Sequence, residues 1–352
     1  MLNSEFRLGL FIIFIAAFLS CNNDFDINGE YIEKTVVVGI LDYGEDTNFL
    51  RIEKTFLDVN TSAFLLATDP ANYYYEEDDL FVYMEQWTDG NFIHVIPVQY
   101  VDGDTLGIIK EEGLFSGSPN ILFRITEKLD SLSTYKLFVV NNSSGDTITS
   151  QTNIVGNFYV YYPTLPETYI NYTDTSKITY TCKQALNGKI YELWMRFNYY
   201  EKNISNGDSI LKHVDWQIFN NKFGDNILGY GNISYSLERD LLYSFLSGAL
   251  EEDDNVIRYY SSINFYWYAG GVEVYDQYLN VLANLGINED YISPEFTNIS
   301  GGLGMFSSRH KIEINDVHLY DDSIDSLACG KITKQLNFVS SFTNPAYPGC
   351  GF

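Results

Sequence analysis

The residues with the clearest chemical role lie near the N-terminus. Residues 8–19 form an uninterrupted run of apolar and small residues that ends at Leu19. Ser20 and Cys21 follow it directly. The run suits the core of a signal peptide and is shorter than the roughly 20 residues that a membrane-spanning helix needs. A cysteine after a small residue at this point is typical of bacterial lipoproteins, in which it is diacylated and becomes the new N-terminus. We therefore expect lipidation of Cys21, since two or more acyl chains anchor a protein firmly.

The three other cysteines predict structure rather than chemistry. Cys329 and Cys350 are the pair that we expect to form a disulfide, which would hold the C-terminal end against the body of an exported protein. Cys182 lies in a strand-like run and is expected to be buried as a small apolar side chain. The cysteine spacings do not match a zinc site.

Familiar catalytic motifs are missing from the sequence. It contains no G-x-S-x-G, H-E-x-x-H or phosphate-binding loop, and its acidic clusters lack the spacing of a calcium loop. The four histidines are widely separated and are expected at the surface or hydrogen-bonded in the core. We therefore predict no catalytic residue, no metal site and no cofactor. Two carboxylates for glycoside hydrolysis meet in space rather than in sequence, so a glycoside hydrolase is kept as an alternative.

Aromatic side chains are the stronger indication of a binding surface. Tyr73, Tyr74 and Tyr75 stand beside an acidic run in a segment with loop character, and Trp267 and Tyr268 end another aromatic cluster. Tyrosine and tryptophan are enriched at interaction hot spots, so these five residues are the predicted interaction surface, with burial in the core as the alternative. The strand-like run 190–201 carries aromatics on both faces, which indicates either burial on both sides or a binding face.

The charge of the chain excludes some partners. The formal net charge is −26, from 47 acidic and 21 basic residues. Nucleic-acid binding needs a basic face, and an anionic membrane surface repels such a chain. The charge suits a soluble protein at a cell surface, or one that binds cations.

Apolar periodicity and turn signals divide the mature chain into two mostly β regions. Residues 35–155 predict seven short strands, typical of an immunoglobulin or fibronectin-like antiparallel sandwich. Residues 156–320 predict an α+β domain, an antiparallel sheet or partial barrel with helices at Glu238–Leu250 and Val272–Leu285, where apolar residues recur at helical spacing. The remaining predicted segments are a signal peptide (1–20), a tether (21–34) and a C-terminal tail (321–352).

Three stretches carry a resemblance to a known family. They are VVVGILDYGEDTNFLRIEKTFL at 36–57, TYKLFVVNNSSGDTITSQT at 134–152 and SPEFTNISGGLGMF at 293–306. They resemble the Bacteroidota lipoprotein family labelled domain of unknown function 4249, in which NI-x-GGLG-x-F recurs. The resemblance covers about residues 35–320 and brings no catalytic residues, while the tail with Cys329 and Cys350 departs from it.

The resemblance also implies a location and a partner. Members of that family often accompany TonB-dependent outer-membrane receptors, and Asp24 and Asp26 resemble the signal that sends Bacteroidota lipoproteins to the cell surface. We therefore expect a non-enzymatic, surface-exposed outer-membrane lipoprotein. It would be an accessory subunit of an outer-membrane β-barrel complex, either a TonB-dependent receptor or an export and assembly machinery. The alternative is a cell-surface glycan-binding protein or glycoside hydrolase.

Overall fold

The computed structural model describes residues 31–58, 60–164, 169–173, 176–285 and 295–340. The predicted signal peptide, the lipidated Cys21, Asp24, Asp26 and Cys350 lie outside these ranges. Within them, no helix has both the length and the apolar character to cross a membrane.

Strands dominate the described ranges, with four short α-helices between them. The strands are β1 (Thr35–Leu41), β2 (Asn48–Lys54), β3 (Leu80–Thr88), β4 (Asn91–Pro97), β5 (Gln99–Asp102), β6 (Ile121–Ile125), β7 (Thr134–Asn141), β8 (Thr147–Asn153), β9 (Val160–Tyr162), β10 (Tyr169–Ile170), β11 (Lys177–Lys183), β12 (Ile190–Asn203), β13 (Ser209–Phe223), β14 (Asn232–Glu238), β15 (Val256–Gly270) and β16 (Leu303–Leu319). The helices are α1 (Ala63–Leu66), α2 (Leu241–Ala249), α3 (Val272–Asn284) and α4 (Asp321–Cys329).

The first half of the chain forms a sandwich of two sheets. One sheet has the order β1-β2-β6-β5 and the other has the order β4-β3-β7-β8. Successive side chains of a strand point to opposite faces, so alternating apolar residues fill the space between the sheets. Val37, Ile52, Met84, Leu137 and Val139 are buried there in one cluster.

The second half forms another sandwich around a larger core. Strands β13, β12, β15 and β16 make one layer, and the small sheet β14-β11-β9 lies opposite them. Phe197, Phe265 and Trp267 from the large layer pack with Tyr180 from the small one. Helix α2 adds Leu246 to the same core, while helix α3 lies along β16 and β12.

Strand β16 belongs to both sandwiches. Its first residues pair in parallel with β1, from Val36 with Leu303 to Leu41 with Ser308. Its later residues pair antiparallel with β15, beginning with Gly270 and Arg309. One continuous strand therefore fixes the two halves relative to each other through main-chain hydrogen bonds.

The glycine-rich stretch 298–306 makes the entry into β16. The Asn298 side-chain amide donates to the Phe306 carbonyl oxygen (2.7 Å), and its oxygen accepts from the Phe306 amide (2.9 Å), so it closes a turn between the two residues. Gly304 has a φ of +99°, and a Cβ there would lie 2.1 Å from the carbonyl oxygen of Val37. The stretch that carries the family resemblance thus has a structural role in joining β16 to β1.

The predicted fold class is confirmed: the chain is mostly β, with a sandwich followed by a sheet with helices. The two predicted helices are α2 and α3, and Cys182 is buried with a free thiol as expected. No sheet in the described ranges closes on itself.

Two features of the organisation go beyond what the sequence predicted. The boundary at residue 155 does not separate two sheets, because β16 extends the first sandwich with residues from near residue 300. Residues 321–340, at the start of the predicted C-terminal tail, pack against the second core. Helix α4 buries Leu327 in the second core, and Phe338 packs edge-on against Phe197 with ring centroids 6.0 Å apart.

We expect Gly304→Ala to destabilise the chain by about 3 kcal/mol or more, since left-handed strain adds to a backbone collision. Gly107→Ala is the matched control. Gly107 also has a positive φ, of +76°, but its Cβ would meet nothing within 4 Å, so it tests strain alone at about 1 kcal/mol. Urea denaturation of the mature chain measures both. Equal losses would contradict the close approach of β16 to β1.

Candidate functional site

A groove runs across the outer face of the large sheet in the second sandwich. Its floor is set by strand register: on β12 and β15, Glu192 stands opposite Tyr268 and Trp194 stands opposite Tyr266. On the next strand, Lys311 stands opposite Tyr268 and Glu313 stands opposite Tyr266. We call this surface the aromatic groove; its open part is a cavity of about 520 Å³ lined by Glu192, Trp194, Arg196, Asp215, Tyr266, Tyr268, Arg309, Lys311 and Glu313.

The groove continues beneath helix α3 into a smaller and more apolar cavity. This cavity has a volume of about 220 Å³ and shares Glu192, Tyr268 and Arg309 with the open part. Ile40, Ile190 and Val274 supply its apolar walls. Gly270 lies between them, and a Cβ at this position would come within 2.9 Å of Ile190 and 3.4 Å of Val274.

Arg196 and Asp215 form a bidentate charged pair in the groove. They stand opposite each other on β12 and β13, and the guanidinium donates twice to the carboxylate, at 2.7 and 2.8 Å. The hydrogen bonds from Arg196 hold the pKa of Asp215 below its usual value. Arg196 also lies 5.6 Å from the ring centre of Tyr266, so the ion pair is placed beside this ring.

Lys311 and Glu313 form a second pair, 2.7 Å apart. The hydrogen bond from Lys311 lowers the pKa of Glu313, and the same contact raises the pKa of Lys311. Both groove carboxylates with cationic partners are therefore ionised at neutral pH.

Three groove side chains have polar groups available to bind a ligand, namely those of Glu192, Arg309 and Tyr268. In the described ranges, neither Glu192 nor Arg309 forms an ion pair with any residue, and Glu192 accepts one hydrogen bond, from the Gln217 amide at 3.1 Å. The Arg309 guanidinium lies 5.9 Å from the ring centre of Tyr268. Burial raises the pKa of Tyr268, so its hydroxyl keeps its proton at neutral pH.

A second exposed surface lies on the outer face of the four-stranded sheet in the first sandwich. Tyr83 and Phe138 stack with ring centroids 4.8 Å apart, and Phe81 lies 5.5 Å from Tyr83. The Lys136 ammonium lies 3.6 Å from the ring centre of Trp87. We call this surface the aromatic sheet face; it also includes Phe92 and Val95 of the edge strand β4, which are about half exposed.

The predicted interaction surface at Tyr73, Tyr74 and Tyr75 was wrong, because all three are buried. Their segment folds back onto β2, where the Lys54 amide donates to the Tyr73 carbonyl oxygen at 2.8 Å. Tyr73 packs edge-on against Phe115, and burial raises its pKa to about 12. The Tyr74 hydroxyl accepts from Arg51 (2.9 Å), and the Tyr75 hydroxyl bonds with that of Thr35 (2.8 Å).

The other predicted aromatic pair is divided by the pleat of β15. Trp267 points inward and is fully buried against Phe219, so its assignment to an interaction surface was also wrong. Tyr268 points outward and lines both cavities of the groove. The predicted two-sided aromatic strand, β12, divides in the same way, with Met195 and Phe197 in the core and Trp194 in the groove.

Arg309, Lys311 and Glu313 were not predicted as site residues. The signal was present, because these charged residues alternate with Ile312 and Ile314 along one strand and therefore share one face. The sequence does not show that this face meets Tyr266 and Tyr268, because β15 and β16 are separated by a helix.

Histidines and cysteines form no metal site in the described ranges. His310 is buried and its Nδ1 lies 3.0 Å from the Asp42 carboxylate, with the Tyr43 ring stacked on it at 4.5 Å. His94 contacts Glu127 at the surface. Cys329 is disulfide-bonded, but since Cys350 lies outside the described residues, the pairing of these two stays a prediction.

Comparison with known proteins gives little guidance. No protein-family profile and no curated protein matches the chain. The C-terminal globular domain of an oligosaccharyltransferase from Pyrococcus abyssi is similar over 66% of this chain and 47% of its own, with 12% identity and a TM-score of 0.24. A titin structure is similar over 68% of this chain and 90% of its own, with 10% identity and a TM-score of 0.17. At these TM-scores neither similarity supports a conclusion about function.

We expect neighbouring substitutions on β15 to have very different effects. Trp267→Ala removes a fully buried ring and should cost about 3–5 kcal/mol of unfolding free energy, whereas Tyr268→Ala in the groove should cost about 1 kcal/mol. Urea denaturation measures both, with the exposed Tyr200→Ala on β12 as control. Similar losses at 267 and 268 would contradict their placement on opposite faces.

Proposed function

We propose that this chain is a lipid-anchored, surface-exposed protein of the outer membrane that binds without catalysing a reaction. In this proposal it is an accessory subunit of an outer-membrane β-barrel complex, either a TonB-dependent receptor or an export and assembly machinery. The observation that carries the binding role is the aromatic groove. It sets Trp194, Tyr266 and Tyr268 side by side on a rigid sheet, with charged groups between them.

Two of the three groove carboxylates are unsuited to act as the acid of a glycoside hydrolase. A glycoside hydrolase needs one carboxyl group that is protonated at working pH, to donate to the leaving oxygen. Asp215 and Glu313 have the opposite property, because Arg196 and Lys311 lower their pKa values. Such paired charges are suited to orienting a ligand on a preformed surface.

The lipid anchor is supported by the sequence. The apolar run 8–19 and Cys21 give the pattern of a lipoprotein signal, and acidic Asp24 and Asp26 follow it. An anchor at the start of the chain keeps the folded body close to the membrane and within reach of barrel proteins.

The aromatic sheet face is the surface that we assign to the barrel partner. Phe81 is 59% exposed and Val95 is 50% exposed, and both line a cavity of about 730 Å³ at the open edge between β4 and β5. Aromatic side chains of this kind concentrate binding energy at protein interfaces. The occupant that the proposal names is an extracellular loop of the barrel.

We expect Cys21→Ala to move the protein from the outer-membrane fraction to a soluble one, because removal of the acyl chains removes the anchor. Fractionation and immunoblotting measure the change, with Cys182→Ala as the matched control because that thiol is free and buried. A Cys21→Ala protein that still fractionates with the outer membrane would contradict lipid anchoring.

We expect the wild-type lipoprotein, extracted in mild detergent, to co-purify with an outer-membrane β-barrel protein that mass spectrometry identifies. The double variant Phe81→Gln/Val95→Gln should recover at least tenfold less of that barrel, since loss of hot-spot contacts costs about 2 kcal/mol. Leu211→Gln on β13, at a residue that is 56% exposed, is the control and should recover the wild-type amount. A wild-type protein that elutes alone and monomeric would overturn the accessory role.

A further inference from the structure

Among the residues that the structure describes, two charged groups of the aromatic groove have no ion-pair partner, and they are one cation and one anion. The six charged residues of its open part include two internal pairs, Arg196 with Asp215 and Lys311 with Glu313. The remaining two, Arg309 and Glu192, line both the open cavity and the apolar one. A ligand that enters the groove therefore meets one positive and one negative group that no ion pair of the described residues neutralises.

Strand register places Tyr268 between these two groups. Glu192 lies on β12, directly opposite Tyr268, and Arg309 lies on β16, opposite Gly270 and two residues along β15 from Tyr268. The backbones of β12 and β16 are about 10 Å apart across β15. A small ligand above the Tyr268 ring can therefore contact both charged side chains, which do not contact each other.

The apolar cavity begins where the sheet lacks a side chain. Arg309 stands opposite Gly270, and the space of about 220 Å³ between Ile40, Ile190 and Val274 opens beside it. Its size suits one aliphatic or aromatic group rather than a large ligand. The charged groups stand at the rim of this cavity, so a ligand with an apolar group inside would keep its polar end at Arg309 and Glu192.

The two opposite charges at the rim of the cavity distinguish between classes of ligand. A simple anion would face Glu192 and the field of a chain with a net charge of −26, and a simple cation would face Arg309. A zwitterion has no net charge and satisfies both groups, because a carboxylate pairs with a guanidinium and an ammonium pairs with a carboxylate.

From these observations we infer that the aromatic groove binds a small zwitterion with an apolar side group, namely an apolar amino acid or a short apolar peptide. Its carboxylate lies on Arg309, its ammonium lies on Glu192, and its apolar group enters the cavity beneath α3. The Tyr268 hydroxyl completes the polar contacts. This inference rests on the proposed binding function and names the ligand of the same groove.

Isothermal titration calorimetry of the mature lipoprotein in detergent tests the inference with matched probes. L-phenylalanine is expected to bind, whereas N-acetyl-phenylalanine, which lacks the ammonium, and phenylalaninamide, which lacks the carboxylate, should each bind at least tenfold more weakly. Glycine lacks the apolar group and should not bind detectably. The dipeptide phenylalanyl-phenylalanine distinguishes the two sources, because tighter binding than phenylalanine identifies a peptide and weaker binding identifies an amino acid.

Two variants assign each charge to its partner. In Arg309→Gln, phenylalanine and phenylalaninamide should bind equally, because the carboxylate has lost its partner. In Glu192→Gln, phenylalanine and N-acetyl-phenylalanine should bind equally for the corresponding reason. Lys177→Gln is the control, since Lys177 pairs with Glu238 on the small sheet and should leave all affinities unchanged. Circular dichroism checks that each variant is folded.

The outcomes separate this inference from the proposed function. If wild-type protein binds none of the probes at millimolar concentration, or binds the acetylated and amidated probes as well as phenylalanine, the zwitterion inference is overturned. If that protein still co-purifies with its barrel, the accessory role stands. Zwitterion binding by a protein that elutes alone would support the inference and overturn the accessory role.

Discussion

Strand β16 approaches strand β1 so closely that a side chain on Gly304 would collide with the carbonyl oxygen of Val37. The rest of the architecture depends on this approach, because the same strand continues past Ser308 to pair with β15. The two sandwiches thereby share a main-chain ladder. The groove residues Arg309 and Lys311 follow directly on this strand, so the first sandwich also fixes the position of the binding surface.

The groove itself is a consequence of strand register. Antiparallel pairing brings Trp194 beside Tyr266 and Glu192 beside Tyr268, and the pleat sends their sequence neighbours into the core. A surface built in this way is rigid, because every side chain on it is attached to a hydrogen-bonded strand with a packed inner face. Rigidity lowers the entropic cost of binding and supports a role in recognition.

The glycine-rich stretch 298–306 carries the family resemblance but has a structural role and does not line the groove. Glycines near an asparagine resemble a ligand-binding loop, yet Asn298 uses both ends of its amide on the backbone of Phe306. Gly302 and Gly304 provide the room that β1 occupies. This motif therefore joins strand β16 to strand β1, and the groove is formed by residues outside it.

The sequence by itself determined the class of the fold, helices α2 and α3 and the burial of Cys182, because periodicity and local propensity are properties of short segments. The groove depends on strands that are distant in sequence, so only the tertiary structure decided that Arg309 meets Tyr268. Exposure was decided in the same way: Tyr73 and Trp267 are as aromatic as Tyr268, but the segment packed against each one determines whether it faces water. The sequence shows which residues are apolar, whereas the tertiary packing determines which of them are buried.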